Sequence, residues 1–354
     1  MAYKVRVDYL GRQYWSESFV WQDAAMTIPL ADAAVTVTGS NQPQVGVPVY
    51  VFGTAGSYLG LSGHTDAGGS VIFRLPAGTY KFRADYQTYQ YWSGEEMLAR
   101  DETKVVDIST GGGNFALTVL QGAGEPLASV PCYVFSSSGA YLGISGVTNS
   151  GGEVSFLLSS GSYKFRTDYL GYQFWSDVFA VPDTAGGALT IAHRDVTLSV
   201  NGLYKTTEPL AGIATYLFTS AGSYLNRSIM TDTLGHAPYR LPDGAYKIRA
   251  DYLGCQFWSD VIQGENITLT IGRGMARIRA QWTGGNISGV PVYVFSAGGA
   301  YLGMTATTDG AGEATFVLPD RTFKFRVDRA GSQYWSSVIE IMPGVENTVT
   351  VNCD

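Results

Sequence analysis

Hydrophobic and charged residues alternate with a period of two along one stretch that the chain repeats five times. In the copy that begins at Tyr163, positions 163, 165, 167 and 169 are apolar or aromatic in most copies, whereas positions 164, 166 and 168 are charged. Such alternation predicts a β-strand with one buried and one solvated face. Leu170 and Gly171 then predict a turn, and the residues up to Trp175 predict the return strand. We call this predicted element the signature hairpin.

The other copies of the signature hairpin divide the chain into similar units. They begin at Tyr3, Tyr80, Tyr246 and Phe323. Trp15, Trp92, Trp175, Trp258 and Trp335 occupy one equivalent position, at spacings of 77, 83, 83 and 77 residues. A period of this length predicts a string of small domains, because the repeats of a solenoid are roughly 20–50 residues long.

Short apolar strands and turns rich in Gly, Asp and Asn recur between the signature hairpins, and no helical periodicity accompanies them. We therefore predict an all-β fold, a tandem array of four seven-stranded, Ig-like β-sandwich domains after an N-terminal partial repeat. The predicted boundaries are residues 1–31 for the partial repeat, then 32–110, 111–193, 194–272 and 273–354 for the first to fourth repeats. Residues 192–195 and 272–274 are predicted to be very short linkers, which favours a semi-rigid rod.

The front segment, residues 1–31, contains a signature hairpin and a predicted closing strand at residues 25–30, but no strands that precede the hairpin. Its apolar positions Tyr3, Val5, Val7 and Tyr9 would then have no sheet of their own domain to cover them. Unpaired strand edges also promote association with another chain. We therefore expect this segment to be poorly ordered or completed by strands of another molecule. Since the chain starts within a repeat, we also expect it to be part of a longer protein.

Composition narrows the functional classes. Aromatic residues make up 13% of the chain, charged residues 15%, and 44 residues are glycine, which is typical of short strands and tight turns rather than disorder. The net charge of −7 and the lack of a basic cluster argue against nucleic-acid binding. No apolar run is long enough to span a membrane. The three cysteines occupy different repeat positions, so they define neither a disulfide framework nor a compartment.

The signature hairpin also holds the candidate ligand-binding residues. An Arg and a Trp recur in every full repeat and are expected on the same solvent-facing side of the hairpin, where the guanidinium would stack on the indole. The structural interpretation is that the Trp covers its own sheet. The functional alternative is a sugar-stacking platform with nearby Tyr, Gln and Asp as polar contacts. The candidates are Arg83, Arg166, Arg249 and Arg326 with Trp92, Trp175, Trp258 and Trp335.

The sequence also bears on calcium binding and on catalysis. Asp66, Asp232 and Asp309 recur in one turn and are weak calcium candidates, since Ca²⁺ binds several oxygen ligands. The competing interpretation is an Asx-turn, which Asn149 at the same position favours. The histidines occupy unrelated repeat positions, and the chain has no nucleophile, phosphate-loop or metal-ligand motif. We therefore predict no catalytic residues, no enzymatic activity and no cofactor apart from possible calcium.

Three motifs of the third repeat resemble a known family. Residues 209–213 (PLAGI), 231–235 (TDTLG) and 241–246 (LPDGAY) are similar to motifs of prealbumin-like (transthyretin-like) sandwiches. That group includes the Cna B-type and carboxypeptidase-regulatory-like repeats of bacterial surface proteins. No Lys recurs in the opening strands, so the internal Lys–Asn crosslink of many Cna B-type domains is not expected here.

The resemblance implies a structural or adhesive segment of a large bacterial cell-surface protein, located outside the cell. Its expected partners are neighbouring repeats or other copies of the protein, and a glycan or surface receptor. An array of carbohydrate-binding modules that uses the repeated Trp and Tyr is the alternative. The third possibility is a subunit of an extracellular filament.

Overall fold

The computed structural model describes residues 1–122 and 124–354, and all regular secondary structure in these ranges is β-strand. This described part contains no helix long and apolar enough to cross a membrane. The front segment forms β1 (Arg6–Tyr9) and β2 (Arg12–Trp15). The chain is therefore all-β, as its alternating pattern predicts.

The first repeat forms two sheets that enclose one core. Its strands are β3 (Leu30–Gly39), β4 (Gln42–Pro43), β5 (Pro48–Gly53), β6 (Tyr58–His64), β7 (Ser70–Pro76), β8 (Gly78–Tyr86), β9 (Tyr89–Trp92), β10 (Glu96–Leu98) and β11 (Thr103–Gly111). In the first sheet, the opening strand β3 pairs parallel with the closing strand β11 and antiparallel with β7. In the second sheet, β8 of the signature hairpin lies between β5 and the short β10, and β9 also pairs with β8.

The second repeat has the same arrangement. Its strands are β12 (Gly113–Gln121), β13 (Pro131–Ser136), β14 (Tyr141–Val147), β15 (Glu153–Leu158), β16 (Gly161–Tyr169), β17 (Tyr172–Trp175), β18 (Phe179–Val181) and β19 (Gly186–Ile191). The first sheet has the order β15-β12-β19, and the second has β14-β13-β16-β17. Phe115 of the first sheet stacks on Phe165 of the second with 4.7 Å between ring centroids. The core therefore lies between the two sheets of a sandwich.

The third and fourth repeats share one long strand. The strands are β20 (His193–Tyr204), β21 (Thr206–Pro209), β22 (Ala214–Thr219), β23 (Tyr224–Met230), β24 (His236–Pro242), β25 (Tyr246–Tyr252), β26 (Cys255–Trp258), β27 (Ile267–Trp282), β28 (Gly285–Asn286), β29 (Pro291–Ser296), β30 (Tyr301–Thr307), β31 (Glu313–Pro319), β32 (Thr322–Arg329), β33 (Ser332–Trp335), β34 (Ile339–Glu340) and β35 (Glu346–Asn352). The first part of β27 pairs with β20 of the third repeat, and the second part pairs with β31 and β35 of the fourth. The closing strand of one sandwich thus continues as the opening strand of the next.

The core confirms the predicted inward face of the signature strand. Tyr163 and Phe165 are fully buried, and the same is true of their equivalents in the other full repeats. Those equivalents are Tyr80, Phe82, Tyr246, Ile248, Phe323 and Phe325. Each full repeat has its own cluster of buried apolar residues. Strict alternation was therefore sufficient to identify the buried face.

All five signature hairpins turn through two residues with positive φ. Leu170 and Gly171 have φ angles of 45° and 83°, which is the pattern of a type I′ turn. At the equivalent positions Gln87 and Thr88 have φ angles of 49° and 69°, although neither is glycine and Thr is β-branched. Gln87 therefore occupies a conformation that its own contacts must stabilise. Its Oε1 accepts hydrogen bonds from the Ser159 amide (2.8 Å) and the Ser159 hydroxyl (3.0 Å).

Three predicted details are corrected by the structure. Residues 25–29 form no strand and Leu30 already belongs to β3, so the closing strand predicted for the front segment is wrong. That strand has no opening strand to pair with at the front. The predicted linker at residues 272–274 lies within β27, and β20 begins at His193 inside the predicted linker at residues 192–195. The seven strands predicted for the first repeat are present, and the short β4 and β10 add to them.

The front segment forms its predicted hairpin, and its apolar residues Tyr3, Val5 and Val7 are exposed. Completion of this face by another molecule stays a prediction. The chain separates into two compact units, residues 1–169 with 173–191, and residues 170–172 with 192–354. Each unit contains the core clusters of two repeats, and the finer domain boundaries stay a prediction.

Candidate functional site

The outer face of each second sheet contains a cluster of five side chains that we call the outer cluster. In the second repeat, Tyr133 and Phe135 of β13 lie beside Arg166 of β16, with Tyr141 and Trp175 at the two ends. Its equivalents are Tyr50, Phe52, Tyr58, Arg83 and Trp92; Tyr216, Phe218, Tyr224, Arg249 and Trp258; and Tyr293, Phe295, Tyr301, Arg326 and Trp335. The strand register explains the arrangement, because Tyr133 is directly opposite Arg166.

The predicted contact between Arg and Trp is present in all four full repeats. The guanidinium carbon lies 5.6 Å from the Trp92 ring centroid, 6.0 Å from Trp175, 5.9 Å from Trp258 and 5.8 Å from Trp335. These distances meet the limit of about 6 Å for a cation–π contact. The strand tyrosine is closer still: Arg166 lies 4.7 Å from the Tyr133 ring. Tyr133 and Phe135 of the neighbouring strand therefore lie closer to the guanidinium than Trp175 does.

The Phe of the outer cluster is buried although it points away from the core. Phe135 is 8% exposed, whereas Trp175 and Tyr141 on either side of it are 44% and 49% exposed. The ring centroid of Phe135 lies 4.7 Å from that of Trp175 and 5.3 Å from that of Tyr141. Trp175 and Tyr141 thus shield a small apolar centre on the outside of the sheet, which is the structural role that the sequence favoured for Trp.

The charge of the central Arg is balanced within the same strand. Arg166 Nε lies 2.9 Å from Asp168 Oδ1, and Arg166 Nη2 donates to Asp168 Oδ2 at 3.0 Å. These residues are two positions apart, so they share the outer face. The same ion pair joins Arg83 to Asp85, Arg249 to Asp251 and Arg326 to Asp328. Each Arg is thereby occupied by a carboxylate and aromatic rings.

Few groups of the outer cluster remain available to contact a ligand. One part of the Trp175 ring remains exposed, and the exposed Gln173 lies on the same face. This combination offers a stacking surface with a polar neighbour, once in each repeat. The structure brings together the predicted Arg and Trp of each full repeat. Ligand binding at these residues stays a prediction.

Sequence reasoning missed a serine that follows each Trp. Ser176 Oγ accepts a hydrogen bond from the Phe165 amide at 2.9 Å and donates to the Asp177 carbonyl at 2.6 Å. The equivalent hydroxyl accepts from the same strand position in every copy: Ser16 from Val5, Ser93 from Phe82, Ser259 from Ile248 and Ser336 from Phe325. The sequence does contain a signal for this serine, since Trp-Ser occurs in all five signature hairpins.

The calcium candidates lie in turns that use their carboxylates. Asp66 Oδ1 accepts hydrogen bonds from the amides of Gly68 (2.9 Å) and Ser70 (3.0 Å). Asn149 Oδ1 makes the same pair of contacts in the second repeat. Asp232 and Asp309 also accept two backbone amides each, and the hydrogen bond from the His236 amide is the main cause that lowers the pKa of Asp232. The geometry is that of an Asx-turn. Calcium binding stays a prediction.

A buried threonine next to this turn was not singled out from the sequence. Thr148 Oγ1 accepts a hydrogen bond from the Val130 amide at 3.0 Å and donates to the Leu127 carbonyl at 2.6 Å. Thr65, Thr231 and Thr308 do the same in the other repeats. The recurrence of Thr-Asx in four turns therefore serves the fold.

Several solved structures of bacterial proteins are similar to this chain at low identity. No family model and no curated protein matches the chain. Similar solved structures include the TIE protein of Bacillus anthracis, with 14% identity over 88% of this chain and 69% of that chain at a TM-score of 0.27. A minor pilin of Streptococcus agalactiae has 14% identity over 45% of this chain and 94% of its own, at a TM-score of 0.30.

Two B repeat units of the collagen binding protein of Staphylococcus aureus have 11% identity over 92% of this chain and 99% of their own, at a TM-score of 0.19. A pilin and the B repeats of a collagen binding protein are thus among the similar structures. Their TM-scores are below 0.5, and the strand pairing and enclosed cores of the chain itself define its sandwiches.

Proposed function

We propose that this chain is a non-enzymatic structural or adhesive segment of a large bacterial extracellular surface protein. The observation that supports this proposal is the fourfold recurrence of one sandwich whose recurring outer side chains contact one another. Arg166 is paired with Asp168, and Phe135 is buried beneath Trp175 and Tyr141. Because the same contacts recur in all four full repeats, each repeat supplies the same mechanical unit rather than a separate site.

A load-bearing role predicts a defined response to force. Pulling on the two ends of the full chain should give four similar unfolding steps, each of which releases about 25–30 nm of extended chain, since one residue spans roughly 3.3–3.6 Å. A single step, or unfolding without resistance, would contradict the proposal. Antibodies raised against the chain should label intact cells of its source, and labelling only after lysis would contradict an extracellular location. The predicted semi-rigid rod stays a prediction.

Glycan binding is the second candidate, and the exposed Trp of each outer cluster favours it. Trp92, Trp175, Trp258 and Trp335 are between 43% and 46% exposed, so each could stack on a sugar ring. Saturable binding of the full chain on a glycan array, with partial loss of binding in Trp175→Ala and complete loss when all four Trp are replaced by Ala, would support this candidate. Binding unchanged by all four Trp→Ala substitutions would exclude the outer clusters as the site.

A filament subunit is the third candidate, and the open face of the front segment favours it. Tyr3, Val5, Phe19 and Trp21 line an apolar groove that no other residue of the described chain fills. Concentration-dependent polymers on electron micrographs would support assembly through this face. Loss of those polymers on removal of residues 1–24 would locate the contact.

A further inference from the structure

The tip of the signature hairpin contacts the beginning of the signature strand in the following repeat. Between the first and second repeats, the Tyr89 hydroxyl accepts a hydrogen bond from the Ser162 amide at 2.9 Å and donates to the Ser162 carbonyl. Its ring packs edge-on against Tyr163, with 5.6 Å between centroids. Tyr91 donates to the Ser160 carbonyl at 2.5 Å. One repeat is therefore joined to the next by side chains as well as by the chain itself.

Two positions meet at each of these contacts, and we name them the tip residue and the seat residue. The tip residue is the first residue of the return strand, and the seat residue lies two positions before the buried aromatic of the following signature strand. The pairs are Arg12 with Gly78, Tyr89 with Gly161, Tyr172 with Gly244, and Cys255 with Arg321. Tyr172 and Gly244 both belong to the second compact unit.

The sizes of the two residues are complementary. A Cβ atom added to Gly161 would lie 2.5 Å from Cε2 of Tyr89, and one added to Gly244 would collide with the Tyr172 ring. Neither glycine has a positive φ, so the aromatic ring and not the backbone requires glycine at these seats. The guanidinium of Arg12 occupies the space that a Cβ atom at Gly78 would need, and it donates to the Ala77 carbonyl at 3.0 Å.

The contact between the third and fourth repeats reverses the sizes. The tip residue is the small Cys255, and the seat residue is Arg321, whose guanidinium carbon lies 4.5 Å from the centroid of the Phe257 ring. Leu253 and Cys255 pack against the core of the fourth repeat. A large tip thus meets glycine, and a small tip meets a large seat.

We propose that the tip and seat residues form a matched pair that determines which repeat can follow which. The partner recognised by each hairpin tip is another repeat of the same kind with a seat residue of complementary size. Tyr opposite Arg would overlap sterically, and Cys opposite Gly would leave a void and free backbone groups. Discrimination through such repulsive combinations is a general route to specificity. This inference concerns the order of repeats, and it holds whether or not the chain is adhesive.

The test uses three variants of the full chain: Tyr89→Cys, Gly161→Arg and the double variant, which copies the pair of the last contact. Hydrogen exchange of the Tyr163 amide reports the contact in all three variants, because Tyr163 lies two positions after the seat residue and pairs with Phe179 of β18 rather than with the tip residue. Each single variant should accelerate this exchange at least about tenfold. The double variant should recover most of the protection. Gly310→Arg is the control, since nothing lies within 4 Å of a Cβ at that position.

Independent effects of the two substitutions would overturn the proposal, and so would unchanged exchange in Gly161→Arg. If Gly161→Arg does not fold, the reverse exchange decides the question. Cys255→Tyr should weaken the contact between the third and fourth repeats, and adding Arg321→Gly should restore it. Exchange of the residue 322 and 323 amides measures this contact, and a double variant no better than Cys255→Tyr alone would equally overturn the proposal.

Discussion

The front hairpin and the signature hairpin of the second repeat share a sequence pattern but differ in their surroundings. In both hairpins the two strands pair with each other and turn through Leu-Gly at positive φ. Both place an Arg near a Trp, and both have a serine that accepts the same backbone amide. Yet Val5 is 49% exposed, whereas Phe165 at the equivalent position is fully buried.

This difference shows that the hairpin sequence determines the local structure, whereas the neighbouring strands determine its burial. Alternation, the two-residue turn and the Trp-Ser pair are local, so they produce the same hairpin at both places. Burial requires a second sheet, and only the full repeats have one. An isolated hairpin is marginally stable in water, so the stability of the signature hairpin comes mainly from the core that it covers. Equivalent substitutions in the two hairpins should therefore differ in their effect on stability.

Phe165→Ala should be the most destabilising substitution. It removes a fully buried ring that stacks on Phe115 and should lower the free energy of unfolding of the second repeat by about 3–5 kcal/mol. Val5→Ala in the front hairpin should change it by less than about 0.5 kcal/mol. Native-state hydrogen exchange of the β13 and β16 amides measures the first effect. Equal effects of the two substitutions would show that the front hairpin also has a covered face.

The sequence was sufficient for the features that depend on local alternation. The buried positions Tyr163 and Phe165, the turn at Leu170 and Gly171, and the contact of Arg166 with Trp175 were all predicted. Each involves residues of one hairpin, whose register the short turn fixes. The sequence therefore identified the signature strand and its two faces without knowledge of the rest of the sheet.

Features that depend on pairing between strands far apart in the sequence were either missed or predicted wrongly. Tyr133 and Phe135 reach Arg166 only because β13 and β16 are neighbours, and their register follows from no local signal. Their alternation with the buried Cys132 and Val134 was a clue to their outward direction. The closing strand predicted at residues 25–30 is absent because a strand needs a partner. In the full repeats that partner is the opening strand, as β3 is for β11.

Ser176→Ala should have the second-largest effect. It leaves the amide of the buried Phe165 without its acceptor, and an unsatisfied buried donor costs about 1–3 kcal/mol. Ser16→Ala in the front hairpin should cost less than about 1 kcal/mol, because water can reach the amide of the exposed Val5. Denaturant unfolding of each variant, followed by exchange of the affected amide, measures the difference. A larger loss for Ser16→Ala would contradict this account.

Arg166→Ala should destabilise the second repeat by about 0.5–2 kcal/mol, because the guanidinium lies close to three aromatic rings. Arg6 in the front hairpin has one such contact, with Trp15 at 5.8 Å, and Arg6→Ala should cost less than about 0.5 kcal/mol. Arg166→Lys keeps the charge but not the planar group, so it should recover only part of the loss. Full recovery by Lys would show that charge alone is important.

The smallest effect concerns a turn that the front segment lacks, the Thr-Asp turn of the third repeat. Hydrogen bonds from the His236 amide (2.8 Å) and the Leu234 amide (2.9 Å) lower the pKa of Asp232 in the folded chain. An acid with a lowered pKa stabilises the fold above its unfolded pKa of about 3.9, and this contribution disappears as the pH falls through the folded pKa. The wild-type third repeat should therefore lose stability relative to Asp232→Asn as the pH falls below about 4.

The Asn variant is a matched control because Asn149 makes the same two hydrogen bonds in the second repeat without a titrating group. The difference in unfolding midpoint between wild type and Asp232→Asn, measured at each pH, removes the contribution of all other carboxylates. Amides of β24 should report the difference, whereas those of β1 and β2 should not, because the front hairpin has no such turn. A difference that is constant with pH, or that favours wild type increasingly in acid, would show that the carboxylate of Asp232 is not held by these amides.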